Sequence, residues 1–414
     1  MSLLALARGA PAGVQDALSN GTIASVKSNL LKSASASWEL GTAAEALTEL
    51  YWPELSVFRA TGVPPPTKLN SSDEASDVLG IARNTVSTKS GQSLPLVQGD
   101  GAVGDPASLG VAVLLAAWTS GNDSNNSYWQ AASNQLDYLL HVAPRTDDGA
   151  ISHRTDQVQL WSDFVYMAPP FIAYYGMLQG GDSGLGLMQV AYQQCQLYRD
   201  YLRDDSGLWR HVVLGSWQDD THWATGNGWA AAGMLRVLET LSGSDQADSL
   251  LDEINDLTSW IQEIVSATWP LQKDNGTLYN SLDDDTSFAE SSGTALLASV
   301  TYRMAYITGD DTYLHAANRA LALVASSVDE DGWLTNTVDP YTFNSPTAPG
   351  DHSPEGQAFV LLLQSAWRDY WLAQCACHAH YPVLWKISRT LQYRVSSVSR
   401  PTSKADRLVL FVCC

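Results

Sequence analysis

A tripeptide repeat constrains the fold of this chain more than any other feature of the sequence. Glycine and alanine recur two positions apart inside apolar segments of helical length. The five copies begin at Gly41, Gly110, Gly228, Gly293 and Gly356. Successive steps are 69, 118, 65 and 63 residues, and the long step is close to two short ones, with its midpoint at Ala168-Pro169. The spacing therefore predicts six units of about sixty residues.

Each predicted unit contains two kinds of helix. The first kind is amphipathic and is predicted over 22–32, 73–88, 128–142, 185–203, 246–267 and 312–326. The second kind is more uniformly apolar and is predicted over 38–51, 106–118, 163–175, 225–241, 287–307 and 354–370. A helix that is apolar all round must be buried, so the second kind forms an inner ring and the first an outer ring. The sequence predicts an all-α fold, an (α/α)6 barrel of six helical hairpins; an open helical solenoid is the alternative, although it does not need this contrast.

Charge and cysteine content change near residue 372. Of 414 residues, 23 are basic and 44 acidic, but the stretch after 372 has six basic residues, one acid and four of the five cysteines. We therefore expect the (α/α)6 barrel to span 1–372 and 373–414 to be an atypical tail outside the fold. Four metal-binding side chains crowd into 375–380, too closely for tetrahedral coordination of one ion. We expect no metal and no cofactor.

Composition also limits the partners of the chain. A net charge of −21 does not suit binding to nucleic acid phosphates. No apolar run reaches the roughly 18 residues that a membrane span needs, and a monomer is expected. Five Asn-x-Ser/Thr triplets favour a secreted glycoprotein whose leader is missing from this start site, with a cytoplasmic location as the alternative. The triplets begin at Asn20, Asn70, Asn122, Asn125 and Asn275.

Acids, histidines and tryptophans concentrate where the predicted inner helices begin. The strings are Trp38-Glu39, Asp105-Pro106, Trp161-Ser162-Asp163, His222-Trp223, Glu290-Ser291 and Pro354-Glu355. In a barrel these starts meet at one end, where tryptophan faces can stack on sugars and carboxylates supply acid–base chemistry. Exposed backbone N–H groups at helix starts also favour an anionic ligand. Helix capping would explain the aspartates, but it does not call for the tryptophans.

Three stretches of this sequence resemble the unsaturated rhamnogalacturonyl hydrolases, glycoside hydrolase family 105. They are 144–149 with Leu160-Trp161-Ser162-Asp163, then Trp223-Ala224-Thr225-Gly226-Asn227-Gly228-Trp229, then Glu290-Ser291-Ser292-Gly293. The resemblance covers roughly 38–371 in order and spacing. It implies an oligosaccharide substrate with an unsaturated uronic acid at its non-reducing end, left by a pectin lyase. An acid protonates C4 of the C4=C5 enol ether, water adds at C5, and the product collapses to release the next sugar.

The resemblance also implies roles for individual residues. Asp163 is the general acid by motif, and Asp105 is the second acid by position. Apolar neighbours of Asp163 are expected to bury it and raise its pKa, as a proton donor requires. His211 matches a family histidine, and His153 or Arg154 matches a basic substrate contact. The predicted substrate-binding set is Trp38, His153, Arg154, Trp161, Met167, His211, Trp223, Thr225, Asn227 and Trp229.

One position departs from the family pattern. Thr225 stands where the relatives usually carry an arginine in the substrate site, which leaves Arg154 or Arg210 to bind the uronate. Asp219 and Asp220 are expected to support the site without acting on the substrate. The departure keeps two alternatives open: another six-hairpin glycosidase with paired carboxylates at the anomeric carbon, and a sugar-binding protein without catalytic activity.

Overall fold

The computed structural model describes residues 18–71, 74–91, 93–120 and 126–380. The α-helices in these ranges are α1 (Asn20–Ser33), α2 (Ser37–Tyr51), α3 (Ser76–Thr88), α4 (Asp105–Ser108), α5 (Gly110–Thr119), α6 (Ser127–Asp137), α7 (Phe164–Met167), α8 (Pro169–Gln179), α9 (Gly181–Leu202), α10 (Ala224–Gly243), α11 (Leu251–Thr268), α12 (Ser292–Thr308), α13 (Leu314–Ser327) and α14 (Pro354–His380). Short strands are β1 (Gln159–Trp161), β2 (Val212–Leu214), β3 (Leu278–Tyr279) and β4 (Ala289–Glu290). Helix α6 continues as a π-helical turn, Tyr138–Val142.

The helices form two rings, which confirms the predicted (α/α)6 barrel. The inner ring runs through α2, α4–α5, α7–α8, α10, α12 and α14, and α14 packs back against α2 to close it. The outer ring consists of α1, α3, α6, α9, α11 and α13, so one outer helix precedes each inner segment along the chain. Among the described residues, no helix is long and apolar enough to cross a membrane.

The repeated glycines lie where neighbouring inner segments touch. A Cβ atom added to Gly41 would lie 2.0 Å from Oγ of Ser108, on the next hairpin. One added to Gly110 would lie 2.1 Å from the ring of Phe171, on the hairpin after that. Real Cβ atoms do not approach other atoms so closely, so the repeat records the close packing of successive inner helices.

Several predicted helix boundaries were wrong. The helix predicted over 163–175 is broken at Ala168, because Pro169 and Pro170 lack the N–H groups that would continue it. The helix predicted over 106–118 is interrupted at Leu109. The helix predicted from residue 287 begins at Ser292, since β4 pairs with β3 just before it. The helix predicted to end at residue 370 continues to His380, past the expected domain boundary at 372; residues 381–414 lie outside the described part.

A buried network of ion pairs links four inner helices. Glu49 of α2 pairs with Arg236 of α10 and, at 3.1 Å, with Arg303 of α12. Arg303 also pairs with Asp369 of α14 at 2.6 Å, and these four side chains are at most 5% exposed. Each buried charge therefore has an opposite partner, which offsets the cost of removing it from water.

Candidate active site

Backbone hydrogen bonds between loops bring the predicted site residues together. The N–H group of Ser162 donates to the carbonyl of His211 at 2.9 Å, next to the antiparallel pair of β1 and β2. The N–H group of Val103 donates to the carbonyl of His153 at 2.7 Å. The first bond places His211 beside Asp163, and the second places His153 beside Asp105. Both aspartates thus lie at the end of the barrel where the inner helices begin.

Asp163 contacts a histidine that is itself held by another carboxylate. Nε2 of His211 lies 3.4 Å from Oδ2 of Asp163, and its Nδ1 lies 2.9 Å from Oδ2 of Asp219. The His211 side chain is fully buried, and those of Asp163 and Asp219 are 15% and 17% exposed. Burial alone would lower the pKa of His211, but the two carboxylates outweigh it and raise that pKa. The two carboxylates therefore favour the imidazolium form of His211.

The expected rise in the pKa of Asp163 was wrong for the free site. Burial does act to raise that pKa, but the imidazole of His211, whose Nε2 lies 3.4 Å from the carboxylate, outweighs it and holds the pKa below its usual value. The prediction took account only of the apolar residues near Asp163 in the sequence. A single sequence does not show that a histidine 48 positions away lies beside Asp163. Asp163 also does not cap α7, because its side chain accepts no backbone N–H bond there.

Asp105 has the environment that was predicted for Asp163. Burial raises the pKa of Asp105 well above its usual value, and the charges of Asp100 and Asp163 add to the rise. His153 is buried, which lowers its pKa to about 4. His153 Nε2 lies 3.8 Å from Asp105 Oδ1, and burial favours the neutral form of both groups. The environments of Asp105 and Asp163 thus shift the pKa values of the two carboxyl groups in opposite directions.

Aromatic rings form a wall beside the two aspartates. Trp161 stacks on His153 with centroids 4.9 Å apart and meets Trp217 edge to face at 5.3 Å. Trp217 is 41% exposed and lies parallel to Phe343 at 5.9 Å. Trp223 is nearly buried and packs against His211 at 4.6 Å. Exposed and half-buried rings of this kind offer apolar faces to a sugar.

Several predicted binding residues lie behind this wall. Trp229 is 1% exposed and packs between Tyr166 and Phe359 in the barrel core. Asn227 is fully buried, and its side chain bonds the backbone of Trp209 at 2.8 and 2.9 Å. Both side chains are therefore engaged in packing and hydrogen bonds within the barrel.

Two further predicted residues, Met167 and Thr225, are also buried, at 2% and 0% exposure. The hydroxyl of Thr225 has no hydrogen-bond partner among the described residues.

Two arginines lie near the rim of the cleft. The side chain of Arg154 is 34% exposed, with its guanidinium 6.0 Å from the Trp161 ring. Arg210 is equally exposed and lies 3.6 Å from the carboxylate of Asp220. Within the described residues, no group of three or more His, Cys, Asp or Glu side chains is arranged to hold a metal ion.

Four residues of the site were not predicted from the sequence, three at the rim of the cleft and one deeper in it. Trp217, Tyr341 and Phe343 lie in loops without any periodic pattern, so only tertiary contacts reveal them. Tyr341 meets Trp38 edge to face at 5.6 Å. Glu355 belongs to the Pro354-Glu355 pair at the start of the last inner helix, but no role was predicted for it. Its side chain accepts a hydrogen bond from the indole of Trp38 at 3.2 Å.

Known proteins resemble this chain in sequence and in fold. The profile of the family described as Glycosyl Hydrolase Family 88 matches residues 108–344. This stretch includes Asp163 and His211 but neither Asp105 nor Glu355. The unsaturated rhamnogalacturonyl hydrolase YesR of Bacillus subtilis (strain 168) is 26% identical over 235 residues, which are 54% of this chain and 63% of that protein. The chain therefore spans less than two thirds of the length of this curated relative.

Solved structures with the same fold cover more of the chain. A possible member of the GH105 family from Salmonella enterica serovar Paratyphi A has a TM-score of 0.66 at 17% identity, covering 84% of this chain and 93% of that one. A family 88 glycosyl hydrolase from Bacteroides vulgatus has a TM-score of 0.64 at 16% identity, covering 84% and 98%. These similarities confirm the six-hairpin fold.

Proposed function

The chain belongs to Glycosyl Hydrolase Family 88, and we propose that it is a glycosidase acting on oligosaccharides that end in an unsaturated (Δ4,5) uronic acid. The proposed substrates are fragments of pectin or rhamnogalacturonan left by a lyase. The name of the curated relative, an unsaturated rhamnogalacturonyl hydrolase, supports this substrate class. The chain's own site supports it through an acid pair beside an aromatic wall.

One observation carries the proposal: the row of Asp163, His211 and Asp219, joined by contacts of 3.4 and 2.9 Å. The row holds a proton on His211 that Asp163 can receive. An anionic uronate bound in the cleft adds negative charge beside Asp163 and raises its affinity for that proton. Asp163 is then a neutral acid in the complex, although it is ionised in the free site.

In the proposed reaction, Asp163 donates its proton to C4 of the C4=C5 double bond. Positive charge then develops at C5 and on the ring oxygen, and the newly formed Asp163 carboxylate stabilises it. Water adds at C5 and returns a proton to Asp163, so that the proton lost to C4 is replaced. The resulting hemiketal opens to a 5-keto uronate, and the next sugar leaves from C1.

Asp105 complements Asp163 in this scheme. Burial and the nearby aspartates favour the neutral form of Asp105. In that form its carboxyl group can donate a hydrogen bond to the sugar and accept one from the attacking water without repelling the uronate. Arg154, beside Trp161, supplies the positive charge that binds the uronate carboxylate. In the relatives, an arginine at the position of Thr225 supplies that charge.

We also propose that the protein is secreted and glycosylated. Three of the acceptor asparagines, Asn20, Asn70 and Asn275, are exposed at the surface. The other two, Asn122 and Asn125, lie outside the described residues. A shift in electrophoretic mobility after treatment of the eukaryotically expressed protein with an N-glycosidase tests this proposal.

The decisive experiment is an assay with lyase-treated rhamnogalacturonan and homogalacturonan fragments side by side. The proposal predicts loss of the enol-ether absorbance together with release of a 5-keto uronate. New reducing ends with the absorbance intact would instead indicate a glycosidase that attacks the anomeric carbon. Binding of the fragments without turnover would indicate a sugar-binding protein.

A further inference from the structure

Three inner helices begin with a buried glutamate, but only one of the three is without a capping role. Glu39 of α2 accepts the N–H groups of Ser35 and Ala36 at 2.8 and 2.9 Å. Glu290, just before α12, accepts those of Ser292 and Gly293 at 2.7 and 2.6 Å. These bonds satisfy backbone donors at helix starts, which is the ordinary use of a carboxylate there.

Glu355 differs from both. It lies in the first turn of α14 and is 2% exposed. One oxygen, Oε2, accepts the indole N–H of Trp38 at 3.2 Å. The other oxygen, Oε1, is buried and has no hydrogen-bond partner in the described structure. A buried polar atom without a partner costs free energy, so a ligand that completes the pair would gain from it.

The charges around Glu355 disfavour its ionised form. Burial raises the pKa of Glu355 well above its usual value, and the charges of Asp163, Glu39 and Glu290 add to the rise. The hydrogen bond from Trp38 opposes the rise only in part. Tyr341 packs against Trp38. Burial raises the pKa of Tyr341, and the charge of Glu355 is one of those that add to the rise. These influences favour the carboxylic acid form of Glu355, which has one O–H group to donate.

We propose that Glu355 is a substrate-binding residue that donates a hydrogen bond, as a neutral acid, from its unpaired oxygen to an acceptor oxygen of the bound uronyl sugar. Asp163 directly precedes α7 and Glu355 lies in the first turn of α14, so both lie at the end of the barrel where the inner helices begin. Trp38, which holds the other oxygen, is a half-buried ring at the same mouth. This inference rests on the proposed function, because an anionic sugar supplies the acceptor that the free site lacks.

The proposal distinguishes two variants. Glu355→Gln keeps the shape, the acceptor for Trp38 and a donor, and it cannot ionise. Glu355→Ala removes both hydrogen bonds. In the wild type, KM for an unsaturated disaccharide should rise as the pH climbs through the pKa of Glu355, because the ionised group loses its proton and repels the uronate. The Gln variant should hold KM nearly constant over that range, and the Ala variant should raise KM about 10-fold with a much smaller change in kcat.

The measurement is KM and kcat against pH for the three proteins, with melting temperatures to confirm folding. If the Gln variant retains the wild-type dependence of KM on pH, or the Ala variant retains the wild-type KM, Glu355 does not bind the sugar. Calorimetric binding of the same disaccharide gives an independent readout. Binding without turnover in the wild type overturns the proposed function alone, and the pH dependence of Kd then decides the role of Glu355. A wild type that neither turns over nor binds the disaccharide overturns both proposals.

Discussion

At the scale of single residues, a substitution of Asp163 should impair catalysis without impairing folding. Its side chain does not cap α7, so an asparagine should leave the helix intact, yet an amide has no proton to give to C4. We predict that Asp163→Asn melts at the wild-type temperature, still binds the unsaturated disaccharide, and loses at least ~10²-fold in kcat. Absorbance kinetics and calorimetry measure these quantities. A variant with near-normal turnover would assign proton donation to Asp105, whose pKa burial raises in the free site.

The pH dependence of turnover tests the role of His211 as the proton source. Asp163 and Asp219 together raise the pKa of His211, and the proton is available only below that raised pKa. Removing one carboxylate lowers the pKa, so Asp219→Asn should move the alkaline fall of kcat to lower pH. The matched control is Asp220→Asn, since Asp220 is 73% exposed and pairs with Arg210. An alkaline limb that is identical in the wild type and Asp219→Asn would exclude His211 as the source.

Two arginines at the rim allow a paired test of uronate recognition. Each arginine lies near an exposed carboxylate, at 3.7 Å for Arg154 and 3.6 Å for Arg210. Arg154 also lies beside the ring of Trp161. A charge-assisted hydrogen bond to a carboxylate contributes ~1.5–3 kcal/mol, or about 10- to 100-fold in binding. We therefore predict that Arg154→Gln raises KM by that factor with little change in kcat, while Arg210→Gln leaves KM close to the wild type. The opposite pattern would transfer the uronate to Arg210.

At the scale of helices, the repeated glycine can be tested by a single methyl group. The Cβ atom in Gly41→Ala would lie 2.0 Å from Ser108 Oγ and 2.8 Å from the Ser108 backbone, so α2 and α4 must move apart. We expect a loss of ~1–3 kcal/mol in the free energy of unfolding, measured in urea. Gly80→Ala is the control, because Gly80 lies inside α3 with no atom within 4 Å of its Cβ position. That variant should be more stable by ~0.5–1 kcal/mol.

The repeated glycines also explain why the helices could be predicted from the sequence, whereas the short strands and loops of the site could not. Close packing imposes a repeated residue type, which a single sequence displays. The strands of two or three residues and the loop with Phe343 carry no periodic pattern. Phe343 is placed by a tertiary bond from Asn280 to its carbonyl at 2.9 Å. The ionisation of Asp163 likewise depends on His211, which reaches it only through the pairing of β1 and β2.

At the scale of the whole molecule, the first and last hairpins close the ring. Asn29 of α1 donates to the carbonyl of Asp331 at 3.0 Å. Arg368 of α14 donates to the carbonyl of Glu49 in α2 at 2.9 Å, and Asp369 accepts from Arg59 at 2.6 Å. The stability of the barrel should therefore depend on the part of α14 that makes these contacts, up to Asp369.

This closure predicts where the chain can be shortened. Tyr370 is the last fully buried hydrophobic residue of the described chain, at 2% exposure, and Leu372 is already 53% exposed. We predict that deleting 376–414 leaves the melting temperature and the turnover unchanged. Deleting 368–414 should prevent cooperative folding, because it removes Arg368, Asp369 and Tyr370 and leaves Arg303 without one of its two buried partners, a loss of ~3–5 kcal/mol by itself. Differential scanning calorimetry compares the two truncations with the full chain. A large drop in melting temperature for the shorter deletion would mean that the basic, cysteine-rich tail is part of the barrel after all.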